Sequence, residues 1–318
     1  MRTCVRLAVL AMGLLSTAAT GQYPSRPVRL IVPFPPGGAA EIGARIYAQP
    51  LGQALGQPIV IETKPGGDGV IAADAAMKAA PDGYTLFYAT NTAFSWVPAV
   101  RKSPPYDPIA DFTPVSLVGT FGFFLFTHHS VPAKSVAELL AYVRANPGKL
   151  NYGSGNSTSM VTTAQLVLLE KLDIVHIPYK GDAPLTVDLV SGRVHMAFAT
   201  PGAYVPHVKE GRVRVLATLL PGRSPLLPDA PTAAEAGLSR LTITPWGGLF
   251  GPANMPRPIV DRIGRELAIV LKRPEVREAF ERIAFEARSS TPEELTAFVR
   301  EELETWRRTV REVGITQE

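Results

Sequence analysis

Val28–Gly38 reads VRLIVPFPPGG, an apolar run closed by two prolines and two glycines. Val28–Phe34 has strand length, and Pro35-Pro36-Gly37-Gly38 breaks it. Beyond the break, Ala39–Leu55 reads as a helix ended by Gly56, with Ile42 and Ile46 on one face. Pro50 inside that span is expected to kink or stop it. Pro58–Glu62 (PIVIE) is a second strand, Gly69–Ala79 an alanine-rich helix, Pro81-Asp82-Gly83 a turn, and Tyr84–Thr90 (YTLFYAT) a third strand. Strand, helix, strand, helix, strand predicts a parallel sheet with crossover helices.

A similar series follows the apolar run Gly122–Thr127. Ser135-Val136-Ala137-Glu138 is a capping box that opens a helix carrying Leu139, Leu140 and Val143. Leu150–Gly153 then reads as strand, Met160–Leu172 as helix, Ile174–Tyr179 as strand, Ala183–Ser191 as helix and Val194–Ala199 as strand. Tyr204–Glu210 is a short helix, Val213–Leu219 a strand, and Thr232-Ala233-Ala234-Glu235 another capping box, closed by Gly237. After a Trp246-Gly247-Gly248 segment come helices near Pro258–Leu271, Pro274–Ile283 and Pro292–Val313. The last opens on Thr291, Pro292 and Glu294 and carries one stripe of Leu295, Phe298, Val299, Leu303, Trp306 and Val310. The fold class expected is α/β with two lobes. Residues 22–122 and 243–318 make a discontinuous first lobe and 123–242 an inserted second one, because the terminal helices need a sheet to cover. Crossings near Thr120–Phe124 and Leu241–Trp246 would lie side by side as a hinge.

Arg2 and Arg6 give a short positive region, Val5–Ala19 is almost wholly apolar and small residues follow, so 1–21 reads as a cleaved secretory signal and the mature chain as periplasmic. That stretch is shorter than the roughly 20 residues a membrane span needs. Cys4, the sole cysteine, falls inside the signal, ahead of the apolar stretch, which leaves the mature chain without thiol or disulfide. The chain has 32 basic and 28 acidic side chains, net +4, and losing Arg2 and Arg6 leaves +2. There is no basic run of the kind that grips nucleic acid.

Two loops carry the candidate chemistry. The Pro35–Gly38 turn sits between strand and helix, where free N–H groups and the helix dipole favour a carboxylate or phosphate, though an ordinary turn would look the same. Ser154-Gly155-Asn156-Ser157-Thr158-Ser159 also joins a strand to a helix, with five hydroxyl or amide side chains where a structural cap needs one. Facing each other, the two loops would make a cleft at the carboxyl ends of strands. Signatures of catalysis are absent: no G-x-S-x-G, no G-x-x-x-x-G-K-[ST], no G-x-G-x-x-G after a strand. None of His128, His129, His176, His195 and His207 has metal-ligand spacing, and His128-His129 reads as a solvated loop pair. No cofactor or metal is expected, and no enzyme.

The mature chain resembles the extracytoplasmic receptors of tripartite tricarboxylate transporters, the Bug receptors. The likeness is carried by RPVRLIVPFPPGG at Arg26–Gly38, PDGYTLFYAT at Pro81–Thr90, NYGSGN at Asn151–Asn156 and HIPYKG at His176–Gly181. It continues through DLVSGRVHMAF at Asp188–Phe198, LLPDAPTAAEAGL at Leu226–Leu238, GLFGPANMP at Gly248–Pro256 and STPEEL at Ser290–Leu295. The resemblance implies a two-lobed periplasmic-binding-protein fold of flytrap type, type II-like. It also implies a small carboxylate held between the lobes, and a monomer that delivers it to membrane transporter subunits. The alternative is an orphan sensor that signals to a membrane kinase. The ligand contacts it implies are Phe34, Gly37, Gly38, Ala39, Glu41, Thr90, Asn91, Ser154, Asn156, Ser157, Thr158, Ser159 and Thr200. Departures from the common pattern are Glu41 for aspartate, Asn156 and Thr158 for small glycines, Thr162 for histidine, and Ala199 where an aspartate often faces the cleft. With Ala199 there, the ligand is expected to lack a free ammonium group, since a buried cation needs a partner; Glu41 is the remaining candidate for one, unless it serves the first turn of its own helix.

Overall fold

The structure, a computed structural model, describes residues 23–316. The signal sequence expected at 1–21 lies outside them. The chain opens with β1 (Val28–Val32), α1 (Ala39–Leu55), β2 (Ile59–Thr63), α2 (Val70–Met77) and β3 (Thr85–Thr90). A π-helical turn, Thr92–Trp96, then leads into α3 (Val97–Val100) and β4 (Phe112–Phe121). The second series is β5 (Phe124–His128), α4 (Val136–Ala145), β6 (Asn151–Ser154), α5 (Ser157–Glu170) and β7 (Val175–Pro178), followed by α6 (Asp182–Val190), β8 (Met196–Ala199), α7 (Val205–Lys209) and β9 (Val213–Thr218). The chain ends with β10 (Trp246–Pro252), α8 (Arg257–Val270), α9 (Pro274–Glu281), β11 (Phe285–Ala287) and α10 (Pro292–Glu312).

These elements form two sheets, ordered β11-β4-β10-β3-β1-β2 and β7-β6-β8-β5-β9, and each is covered on both faces, which gives a two-lobed α/β fold. The expected parallel sheet is mixed instead. β2, β1 and β3 are parallel, but β10 runs antiparallel between β3 and β4, and β11 pairs antiparallel with β4. The second sheet likewise has parallel β7, β6 and β8 and antiparallel β5 and β9. In the sequence β10 shows only as a Trp246-Gly247-Gly248 segment, because glycine weakens the strand signal. Here the glycines are required: a Cβ at Gly247 would overlap the Tyr88 ring, and one at Gly251 the Met255 sulfur. The β10 register also skips Val118 between Gly247 and Gly248.

α1 runs unbroken through Pro50 to Gly56, whose φ of 83° accepts the left-handed end. Proline costs α1 a backbone bond, but Leu51 and Leu55 beyond it are buried and hold the last turn. Its buried face is Ala40, Ala44, Tyr47, Ala48, Leu51 and Leu55. Ile42 is exposed and Ile46 only half-buried, because the small residues let the helix sit close on the sheet. The Thr291 capping box and the α10 stripe form as read. Ser135 accepts from the Glu138 N–H, but Glu138 reaches back to the Lys134 N–H rather than to Ser135. The Thr232–Glu235 box forms both bonds and caps a single turn.

The chain passes from sheet to sheet through Gly122 and Phe123, and returns at 219–245. The crossings lie side by side, with the Phe121 N–H on the Pro245 carbonyl and Trp246 opposite Thr120. The two cores exchange residues: Val161 of α5 sits in the core beneath α10, and Ala284 packs in the core of the second sheet. The chain's three indole N–H groups all meet carboxylates. Trp96 donates to Asp68 at 3.2 Å, and Trp246 and Trp306 donate to the buried Glu302 at 3.0 and 3.3 Å.

Candidate functional site

Register sets the geometry. The carboxyl ends of β1 and β3 lie at the edge where β4 leaves for the second sheet. There β5 starts at Phe124, beside Ala199 at the end of β8 and Thr218 at the end of β9. β6 and β7 run parallel to β8, so their carboxyl ends share that edge. The strand ends of the two sheets therefore confront each other, as ligand sites of open α/β sheets require.

On the first sheet, Gly37 adopts φ 81° and its N–H donates to Glu41 Oε2 at 3.1 Å. Glu41 is buried, and its other oxygen pairs with the exposed Arg45. The Gly38 N–H turns back to the Pro35 carbonyl. Part of the expected anion cradle is thus filled by the chain's own carboxylate, and the N–H groups of Ala39 and Ala40 remain at the α1 terminus. Phe34 packs half-buried against the core beneath α1. Thr90 ends β3, and its buried hydroxyl has no hydrogen-bond partner in the protein. Asn91 stands at the mouth of the π-helical turn, an irregularity frequent at functional sites.

On the second sheet the polar loop is largely self-consumed. Asn156 caps α5: Oδ1 accepts from the Ser159 N–H, and Ser159 Oγ accepts from the N–H groups of Gly155 and Asn156. The helix therefore starts at Ser157, three residues before the sequence reading placed it. Ser154 Oγ lies 2.7 Å from His176 Nε2, and the His176 ring stacks on Tyr152. Burial pushes the His176 pKa down. Ser157 keeps a hydroxyl shut off from solvent with no partner in the protein. Thr200, half-buried just beyond β8, makes no side-chain hydrogen bond. Ala199 is fully buried in an apolar cluster with Phe124 and Tyr204.

One bond joins the two sets. Asn91 Nδ2 donates to Thr158 Oγ1 at 2.7 Å, and Asn91 Oδ1 accepts from the Trp246 N–H at 3.4 Å. Two polar residues at the site carry no functional signal in the sequence, His176 and Asp182. His176 has no partner at metal-ligand spacing in the sequence. Asp182, whose Oδ1 accepts from Asn156 Nδ2 at 3.1 Å, looked like any helix-opening aspartate. His128 is buried at the end of β5 and bonded to Ser130, not solvated as expected of the pair; His129 is exposed. Among the described residues no group of three or more His, Cys, Asp or Glu is placed to hold a metal, and no helix is long and apolar enough to cross a membrane.

Comparison with known proteins agrees with this geometry. The family model of the tripartite tricarboxylate transporter family receptor, TctC, matches residues 43–315. Protein BugT of Bordetella pertussis is 33% identical over 309 residues, which cover 96% of this chain and 95% of BugT. The structure of R. palustris Rpa4515 with adipate superposes with a TM-score of 0.83 at 32% identity, over 92% of this chain and 99% of that one. MatC (Rpa3494) from Rhodopseudomonas palustris, with bound malate, gives 0.77 at 32% identity, over 91% and 100%. The chain belongs to the TctC family of tripartite tricarboxylate transporter receptors: it is a periplasmic-type solute-binding protein with a two-lobed fold, not an enzyme.

Proposed function

We propose that this receptor binds a small carboxylate between its lobes in the periplasm and delivers it, as a monomer, to the membrane subunits of a tripartite tricarboxylate-type transporter. The lobes are residues 22–122 with 243–318, and residues 123–242. The observation that carries the reading is a pair of buried hydroxyls without protein partners, Thr90 and Ser157. They come from opposite sheets, and each is the chain neighbour of a residue in the Asn91–Thr158 bond. Buried polar groups left unpaired are rare in folded chains, and a ligand oxygen between the two would satisfy both. The N–H groups of Ala39 and Ala40 at one helix terminus, and of Ser157 and Thr158 at another, supply donors and partial positive charge for an anion. The two structural relatives were solved with carboxylates, adipate and malate, which supports the class. Phe34, Gly37, Gly38 and Thr200 complete the proposed contact set, with Ser154, Asn156, Ser159 and Glu41 shaping it.

A thermal-shift screen of mono-, di- and tricarboxylates tests the binding. A ligand at 100 times its Kd adds about 2.7 kcal/mol of stability. No stabilisation by any carboxylate at millimolar concentration overturns the reading. Delivery is tested by uptake of the labelled ligand in cells with and without the receptor. Unchanged uptake with altered transcription would make the protein a sensor instead.

A further inference from the structure

We infer that the end of the cleft built on the second sheet takes a hydrogen-bond-donating group of the ligand and disfavours a second carboxylate, and that Asp182 sets this preference. The inference rests on the carboxylate reading above. Each helix terminus at the site has a carboxylate of its own, but the two differ in compensation. Glu41, beside α1, has one oxygen on the Gly37 N–H and the other on Arg45, so its charge is offset and its acceptors are filled. Asp182, beside α5, has no cation partner among the described residues. Its Oδ1 takes the Asn156 amide at 3.1 Å, and its Oδ2 accepts no hydrogen bond from the protein.

Asp182 is held firmly. The loop presses Gly155 against it, where a Cβ would overlap the aspartate, and Thr186 Oγ1 bonds the Asp182 carbonyl at 2.8 Å. Desolvation by burial pushes its carboxyl above the usual carboxylate range, offset in part by the Asn156 amide. The other titratable groups about it are the Tyr204 phenol, Lys180 two positions earlier in the chain, and His176 on the adjoining strand, bonded to Ser154. A second carboxylate brought to this loop adds negative charge beside a half-buried carboxylate that has no cation partner among the described residues, which is unfavourable. A hydroxyl or an ammonium instead supplies Oδ2 with the donor it lacks, and an ammonium supplies the missing countercharge as well. The sequence expectation of a ligand without ammonium rested on Ala199; Asp182 provides a carboxylate on the neighbouring element.

Calorimetry on the full mature receptor decides the matter with two series of matched length. These are succinate, 4-hydroxybutyrate and 4-aminobutyrate, and adipate, 6-hydroxyhexanoate and 6-aminohexanoate. The hydroxy or amino acid is expected to bind at least tenfold more tightly than the diacid in whichever series fits. Asp182→Asn, and Asp182→Ser as a second variant, should reduce that ratio to threefold or less. Asp188→Asn, at the other end of α6, should leave it unchanged. A loss confined to the amino acid identifies ammonium as the donor; an equal loss for both identifies the hydroxyl-type bond. A diacid that binds most tightly, or a preference that survives both Asp182 variants, overturns the inference while the carboxylate reading stands. Binding of none of the six overturns the inference, and the screen of mono-, di- and tricarboxylates then decides the carboxylate reading by itself.

Discussion

Asn91 holds partners from two directions with one amide: the Trp246 N–H on its oxygen and Thr158 on its nitrogen. Both side chains are buried, so losing the hydroxyl leaves a donor without water or partner. Thr158→Val should lower unfolding stability by about 1–3 kcal/mol in urea titrations, and Thr158→Ser should cost far less. Glu302 poses the opposite problem, a carboxyl that is bonded but desolvated, which raises its pKa from 4.5 to about 7. Below 4.5 it is protonated whether the chain is folded or not. Between 4.5 and about 7 only the folded state keeps the proton, so stability falls as pH rises, and it levels off above 7. Glu302→Gln should remove that slope and gain on the order of 3 kcal/mol relative to wild type at pH 8. The difference between the two melting curves across pH isolates it from the histidines. Residue types pointed to the polar loop but not to its wiring. Five polar side chains in six residues read as a ligand surface, yet Asn156 and Ser159 serve mainly as a cap, and only the fold brings Asp182 beside them.

At the scale of elements, β1, α1 and α10 were legible because their signals are local: an apolar run, a glycine stop, a capping box. β4 and β10 were not. The pairing of β10 with β3 and with β4 joins residues more than a hundred positions apart, and glycine in β10 hides the strand that buries every one of its residues. That burial makes the glycines sensitive. Gly247→Ala puts a methyl into the Tyr88 ring and should cost about 1–3 kcal/mol, measured as a lowered urea midpoint at constant slope. An alanine tolerated there without loss would mean that β10 and β3 can part at little cost. The family model begins at residue 43, inside α1, so it does not reach the Pro35–Gly38 turn, which the BugT alignment over 96% of the chain does span.

For the molecule as a whole, two lobes joined by adjacent crossings and separated at their strand ends are expected to hinge, and a ligand touching both favours the closed arrangement. Small-angle scattering at saturating ligand should show a smaller radius of gyration than the ligand-free receptor. An unchanged radius at proven saturation would mark a rigid binder, with Val161 and Ala284 locked in each other's cores. The three tryptophans give this motion a light source. Trp96, Trp246 and Trp306 all belong to the core of the first sheet, so the second sheet and its helices contain no indole chromophore. Emission excited at the red edge of the absorption band therefore comes from one half of the protein. Of its sources, Trp246 lies one hydrogen bond from Asn91 and shares Glu302 with Trp306. A cleft that shuts on its cargo, or a Glu302 that loses its proton, changes the field around that ring, and an unlabelled sample in a cuvette would record both as shifts in colour.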